Sequence, residues 1–182
     1  MGDRIVTKVL FERMPDATFL YDNYFNYLFG NRDAKKLFFN PNQNAVSKAI
    51  LELTEEFSKF VLLGMDGLDG FYSLNESRTK IEIATAFAQS GKSSWIVNFS
   101  WNHLEIDKTL LVALHQARDV GVRFVTRDSQ SCARLVSLGV PSTVCPDFGF
   151  LISQHKSITD PETSDSGRDG RDYAVLAPSH TF

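Results

Sequence analysis

The segment from Val122 to Ile152, VRFVTRDSQSCARLVSLGVPSTVCPDFGFLI, constrains the fold more tightly than any other part of the chain. Val122, Phe124 and Val125 make a short apolar run that ends in the polar stretch Thr126-Arg127-Asp128-Ser129. Asp128 stands where a helix cap belongs, because a carboxylate there accepts from the first, otherwise unpaired, amides of the helix. Cys132, Leu135 and Val136 then recur at helical spacing with Leu138 beside them, and Gly139 supplies a left-handed stop that Pro141 seals. A second strand follows at Thr143 to Cys145. Strand, helix, strand is a βαβ unit, whose crossover is right-handed in nearly all folds and whose strands are therefore parallel.

In an open parallel sheet the loops at the carboxyl ends of the strands surround the ligand. Arg127-Asp128 and Pro146-Asp147 both fall at such ends. Position alone leaves two readings open. Either these side chains meet a ligand, with the Arg127 guanidinium matching a carboxylate or phosphate bidentately, or Asp128 only caps, Arg127 lies solvated and Asp147 forms a turn.

The string RDSQSCARLVSLGV followed by VCPDFGFLI resembles the polysaccharide pyruvyltransferase family. There an Arg-Asp pair, a Ser three residues on, a Leu-Gly-Val helix end and a Pro-Asp after the next strand recur in this order. The matching positions are Arg127, Asp128, Ser131, Leu138, Gly139, Val140, Pro146 and Asp147. The resemblance implies a two-domain, glycosyltransferase-B-like architecture of which this chain is most of the N-terminal half. It also implies an activity, transfer of the pyruvyl group from phosphoenolpyruvate to a pair of sugar hydroxyls as a ketal, in cell-surface polysaccharide biosynthesis. Phosphoenolpyruvate is then the donor substrate and a saccharide the acceptor. No cofactor is called for, and no residue is assigned to a metal.

Composition narrows the remaining classes. A chain of 182 residues that is 43% hydrophobic can bury the core of one ordinary domain but not of two full ones. A net charge of -3 argues against a nucleic-acid partner, which calls for a basic face. Cys132 and Cys145 are the two cysteines, both in apolar contexts, so neither a disulfide framework nor a zinc cluster is indicated and the compartment implied is the cytoplasm. No apolar run approaches the roughly 20 residues that span a bilayer, and no signal-peptide pattern opens the chain.

Taken in order, the chain starts with a helix in which Ile5, Val6, Val9 and Leu10 share a face, ended by Pro15. In the resembled family a strand leads into a Gly-Asp pair before this helix; Gly2-Asp3 matches the pair, which makes Asp3 either a substrate contact or an N-terminal dipole partner. Ala17 to Tyr21 reads as a strand, and the aromatic-rich stretch after it, with Tyr24, Phe25, Tyr27, Phe29, Phe38 and Phe39, has no clear period. Asn44 caps a helix with Val46, Ile50, Leu53 and Phe57 in one stripe. Phe60 to Leu63 is a continuous apolar run suited to a strand buried on both faces.

Directly after that run Gly64, Gly67 and Gly70 alternate with Asp66 and Asp69. Glycines at a strand's carboxyl end let backbone amides approach an anion, whereas two aspartates repel one unless they bind a sugar hydroxyl or act as a base. Asp66 or Asp69 is therefore the expected acceptor contact or catalytic base, set against a tight Gly-Asp turn. Asn75 or Ser77 starts a helix that Gly91 ends, and Trp95 to Ser100 is the next strand. Ser100 and Asn102 follow at a carboxyl end, where the family resemblance makes them substrate contacts. His103 beside them is either a general base or a surface residue. Asp107 caps a helix with Leu110, Leu111, Leu114 and Ala117 inward, stopped by Gly121.

The fold expected is α/β, a three-layer Rossmann-like domain over residues 1–155 with parallel strands near 17–21, 60–63, 95–99, 122–126 and 143–145. Residues 156–172 read as a polar linker and residues 173–182 as the first strand of a truncated second domain. Tyr173 to Ala177 has an alternative place, filling an open sheet edge within the chain or in a partner copy, the second of which makes a homo-oligomer. With the family's first strand and second domain absent, weak or no activity is expected of this chain by itself. Two other readings share the βα rhythm: a fragment of a nucleotide-sugar glycosyltransferase, and a flavodoxin-like binding module without catalysis. Gly91-Lys92-Ser93 imitates a P-loop end, but the order is helix to strand and no helix N-terminus faces a phosphate.

Overall fold

The structure, a computed structural model, describes residues 18–21, 34–36, 52–148 and 173–176. Its strands are β1 (Thr18–Tyr21), β2 (Ala34–Lys36), β3 (Lys59–Met65), β4 (Ser93–Phe99), β5 (Arg123–Thr126), β6 (Ser142–Val144) and β7 (Tyr173–Leu176). Between them lie α1 (Leu74–Gln89), α2 (Lys108–Asp119) and α3 (Ser129–Ser137). Residues 52–56 are also helical. The strands form one sheet in the order β2-β1-β7-β3-β4-β5-β6, and every pairing is parallel. The α/β class and the Rossmann-like parallel sheet expected from sequence are thus present.

From β3 to β6 each crossover steps one strand in the same direction, so the right-handed rule sets α1, α2 and α3 on one face. Phe60, Leu62, Ile96 and Phe124 of the sheet share a buried cluster with Ile81, Phe87, Leu110 and Leu114 of the helices. Phe60 and Phe87 stack at 4.7 Å between ring centroids. Each of these side chains contributes roughly 1.5–3 kcal/mol by leaving water. Leu63 and Val97, on the opposite face by strand alternation, are buried too, and this is why Phe60 to Leu63 reads as a continuous apolar run rather than an alternating one.

The caps follow the local chemistry. Asp107 and Asp128 cap α2 and α3 as their sequence positions predict. The start of α1 differs from the expected Asn75 or Ser77: the Ser73 hydroxyl accepts from the Glu76 amide at 3.3 Å, with the Ser-x-x-Glu spacing of a capping box. Ser77 has another task, donating to the Gly67 carbonyl at 3.0 Å and so fastening the loop after β3 to the helix. Lys92, the P-loop mimic, donates to the carbonyls of Thr54 and of Phe57, the latter at 2.7 Å. It terminates the 52–56 helix from the side, where a cation complements the carbonyl end.

Two parts of the expected organisation change. Tyr173–Leu176, expected as the first strand of a second domain or else as filling an open sheet edge, lies inside this sheet and pairs with both β1 and β3. An interior position of a parallel sheet leaves amides and carbonyls unpaired on both sides unless a strand fills it, and β7 satisfies both neighbours. β2, Ala34–Lys36, falls in the stretch that shows no period, because a three-residue edge strand with two lysines carries no apolar pattern. The N-terminal helix with Asp3, the Asn44 cap, the aromatics at 24–29 and 38–39, and the polar segment 156–172 lie outside the described residues. Among the described residues no helix is long and apolar enough to cross a membrane.

Candidate functional site

Parallel strands deliver all their carboxyl ends to one edge, and the loops after β3, β4, β5 and β6 converge there. Two local features bring them close. Gly64 packs against β4 so tightly that a Cβ added to it would lie 2.6 Å from the Cβ of Phe99, so only glycine fits without a backbone shift. Asn98 makes a bulge in the β4–β5 ladder, between Val97 and Phe99, with φ of 56°. Asparagine tolerates that left-handed conformation, and the bulge bends the strand end. Its buried side chain accepts from the Phe148 amide at 3.0 Å, which ties the loop after β6 to β4.

Arg127 is the hub of this edge. Its Nε donates to Ser100 Oγ at 2.7 Å, one terminal nitrogen to Asp147 at 3.2 Å, and the other to Asp66. The four loops are therefore joined through one guanidinium and its partners. Ser100 passes the chain on, donating to Asp128 at 2.7 Å. Asp128 also accepts from the Ser131 amide at 2.7 Å and the Ser131 hydroxyl at 2.8 Å, and Ser131 Oγ in turn accepts from the Trp101 amide at 2.8 Å. Ser131 is thus the pin between α3 and the loop after β4, a role its helical position does not reveal.

Burial pushes the Asp128 carboxyl up, but the Ser131 amide, the Ser100 and Ser131 hydroxyls and the Arg127 cation together outweigh it and hold the group below its ordinary value. A carboxylate depressed in the native state stabilises the fold above its unfolded value, about 3.9, and that contribution is lost as pH falls through the native one. Asp128→Asn keeps a good cap but removes the charge. The stability that wild type holds over this variant should be full at pH 6 and shrink steadily below about pH 4 in urea titrations. A difference that stays constant down to pH 2.5 would show that the charge of Asp128 does not matter to folding.

Asp69, expected either as an acceptor contact or base or as part of a tight Gly-Asp turn, has the geometry of the turn. It is 4% exposed, its Oδ1 accepts from the Phe71 amide at 3.1 Å, and its Oδ2 accepts from the Asn102 and His103 amides at 3.1 and 3.0 Å. Both oxygens hold backbone, which makes Asp69 a strut between the loops after β3 and β4 rather than a free base. Asp66, by contrast, keeps about half of its side chain in solvent, and it faces Arg127 on one side and a cleft on the other.

That cleft, of about 570 Å³, is lined by Asp66, Asp69, Phe71, Tyr72, Asn102 and His103 together with residues 104–105. Phe71 is 66% exposed and Tyr72 39%, and the two rings meet edge to face at 5.2 Å. Adjacent aromatics left in water at a sheet's carboxyl edge suit the apolar face of a ring-shaped ligand. Asn102, an exposed residue of the cleft wall, anchors its loop through its backbone amide.

Comparison with protein-family models, curated proteins and solved structures finds no match for the chain. The chemistry of the edge must therefore be read from its own residues. Asp66, Asp128 and Asp147 stand around a single guanidinium, with Asp69 in the adjoining cleft, so the local field favours hydroxyl donors. Both terminal nitrogens of Arg127 already face a carboxylate, Asp147 on one and Asp66 on the other. Among the described residues no group of three or more His, Cys, Asp or Glu is placed to hold a metal ion. Of the residues singled out in the sequence, Arg127, Ser100, Asp128, Asp147 and Asp66 form one bonded network; Asp69 and Asn102 belong to the adjoining cleft; Asp3 lies outside the described residues. Phe71 and Tyr72 carry no periodic signal, and two aromatics directly after a Gly-Asp turn at a strand's end are the one sequence mark of the cleft.

Proposed function

We propose that this chain binds a saccharide at the carboxyl edge of its sheet and acts, as the N-terminal half of a pyruvyltransferase-like architecture, in transfer of pyruvyl from phosphoenolpyruvate to two sugar hydroxyls. The reading sets the protein in the cytoplasm. The observation that carries it is Asp66, which is shared between the Arg127 guanidinium and the aromatic cleft. The donor's carboxylate takes over the Asp66 contact on Arg127, a bidentate match, and releases Asp66 toward the acceptor. The first hydroxyl oxygen then bonds to C2 of the donor, and its proton passes through Asp66 to the methylene carbon C3. Phosphate departs with the C2–O electron pair, and the second hydroxyl closes the ketal. Of the two hydroxyl protons, one ends on C3 and the other on phosphate, so the exchange balances. The aromatic pair holds the sugar ring by its apolar face.

Thermal-shift titration tests the reading. Phosphoenolpyruvate and a galactosyl or N-acetylmannosaminyl saccharide should each raise the melting temperature, because a ligand stabilises by RT ln(1 + [L]/Kd). Stabilisation by nucleotide sugars or by flavin mononucleotide, with none from phosphoenolpyruvate, would replace this reading with glycosyl transfer or with flavin binding.

A further inference from the structure

His103 has a ring geometry that the proposed reaction does not yet use. Its Nδ1 lies 2.5 Å from the Glu105 carbonyl oxygen. A carbonyl only accepts, so Nδ1 carries the proton, and in the neutral ring Nε2 is left with its lone pair. The ring is half-buried on the cleft wall, at 5.8 Å from the exposed Phe71 ring, and its own amide is held by Asp69. A backbone carbonyl that fixes the tautomer and a buried carboxylate that fixes the loop are the supports a positioned base requires. His115 shows the opposite arrangement: its Nε2 faces the Leu138 carbonyl at 2.7 Å, so it closes α3 and leaves Nδ1 unprotonated.

We infer that His103 Nε2 is the proton acceptor for the second of the two sugar hydroxyls, a catalytic role resting on the proposed pyruvyl transfer. As phosphate leaves with the C2–O pair, the second hydroxyl oxygen forms its bond to C2 and its proton moves to Nε2. The imidazolium then returns that proton to the departing phosphate. Asp66, Asp69, Tyr72 and Glu105 are the titratable groups of the cleft around it.

The experiment has two arms on the full chain. Long-range proton–nitrogen correlation spectra, assigned by the signal missing from His103→Asn, should show His103 as the Nδ1–H tautomer and His115 as the Nε2–H tautomer. An Nε2–H tautomer at His103 overturns the inference outright. In the second arm, phosphate release from phosphoenolpyruvate with a galactosyl acceptor is followed against pH. The Asn variant keeps a donor for the Glu105 carbonyl, so saccharide binding should stay within about twofold while release falls about 100-fold or more across the profile. Equal rates in variant and wild type sink the role of His103 and leave pyruvyl transfer standing. Wild type that is neither stabilised by phosphoenolpyruvate nor releases phosphate with any acceptor sinks pyruvyl transfer, and the inference with it.

Discussion

Asp69→Ala should lower the unfolding free energy by about 2–4 kcal/mol, since each buried amide left without an acceptor costs about 1–3 kcal/mol and partial water access recovers some of the loss. Three amides depend on this carboxylate, from Phe71, Asn102 and His103, and two of them sit on a loop from a different strand. The loss therefore has a local signature as well as a global one. The loops after β3 and β4 should separate, and amide exchange at residues 71, 102 and 103 should accelerate beyond what the global change explains. Asp69→Asn keeps one acceptor oxygen and should recover part of the stability. Urea titration with exchange measurements checks both statements. An alanine variant as stable as wild type would mean that water replaces the carboxylate at no cost and that the strut is incidental.

Arg127→Ala should weaken binding of phosphoenolpyruvate by roughly 30- to 150-fold, the equivalent of about 2–3 kcal/mol for a paired, charge-assisted contact. The substitution also leaves Asp66, Asp147 and Asp128 as unrelieved like charges at one edge, which adds repulsion against a donor anion. Lysine should not rescue the loss, because three fixed directions, to Ser100, Asp147 and Asp66, are used and an ammonium cannot present a planar fork. Arg134→Ala is the control. Arg134 lies in the last turn of α3 and is half-buried, so its removal should perturb packing but change donor affinity by under about 1 kcal/mol. Calorimetric titration of the two variants with the same donor separates these outcomes; equal losses would reduce Arg127 to a structural tie between loops.

Much of this protein is legible along the chain because its causes are local. The apolar run at 60–63 and the strand at 95–99 follow from burial on both faces, the Asp107 and Asp128 caps from unpaired helix amides, and the gathering of Asp66, Ser100, Arg127 and Asp147 from parallel strands, which need only be counted to put their ends on one edge. What depends on contacts between distant segments is not legible in this way. Tyr173–Leu176 looks like the start of a new sheet because strand pattern records burial and not neighbours; its place between β1 and β3 follows only when both of them need partners. Asp66 and Asp69 are indistinguishable as residues three apart in one loop. The fold separates them, turning one carboxylate inward onto three amides and leaving the other between a guanidinium and a cleft, because a buried carboxylate must be bonded and an exposed one need not be. The tautomer of His103 is decided the same way, by a carbonyl two residues on that the turn of the loop brings within 2.5 Å of the ring.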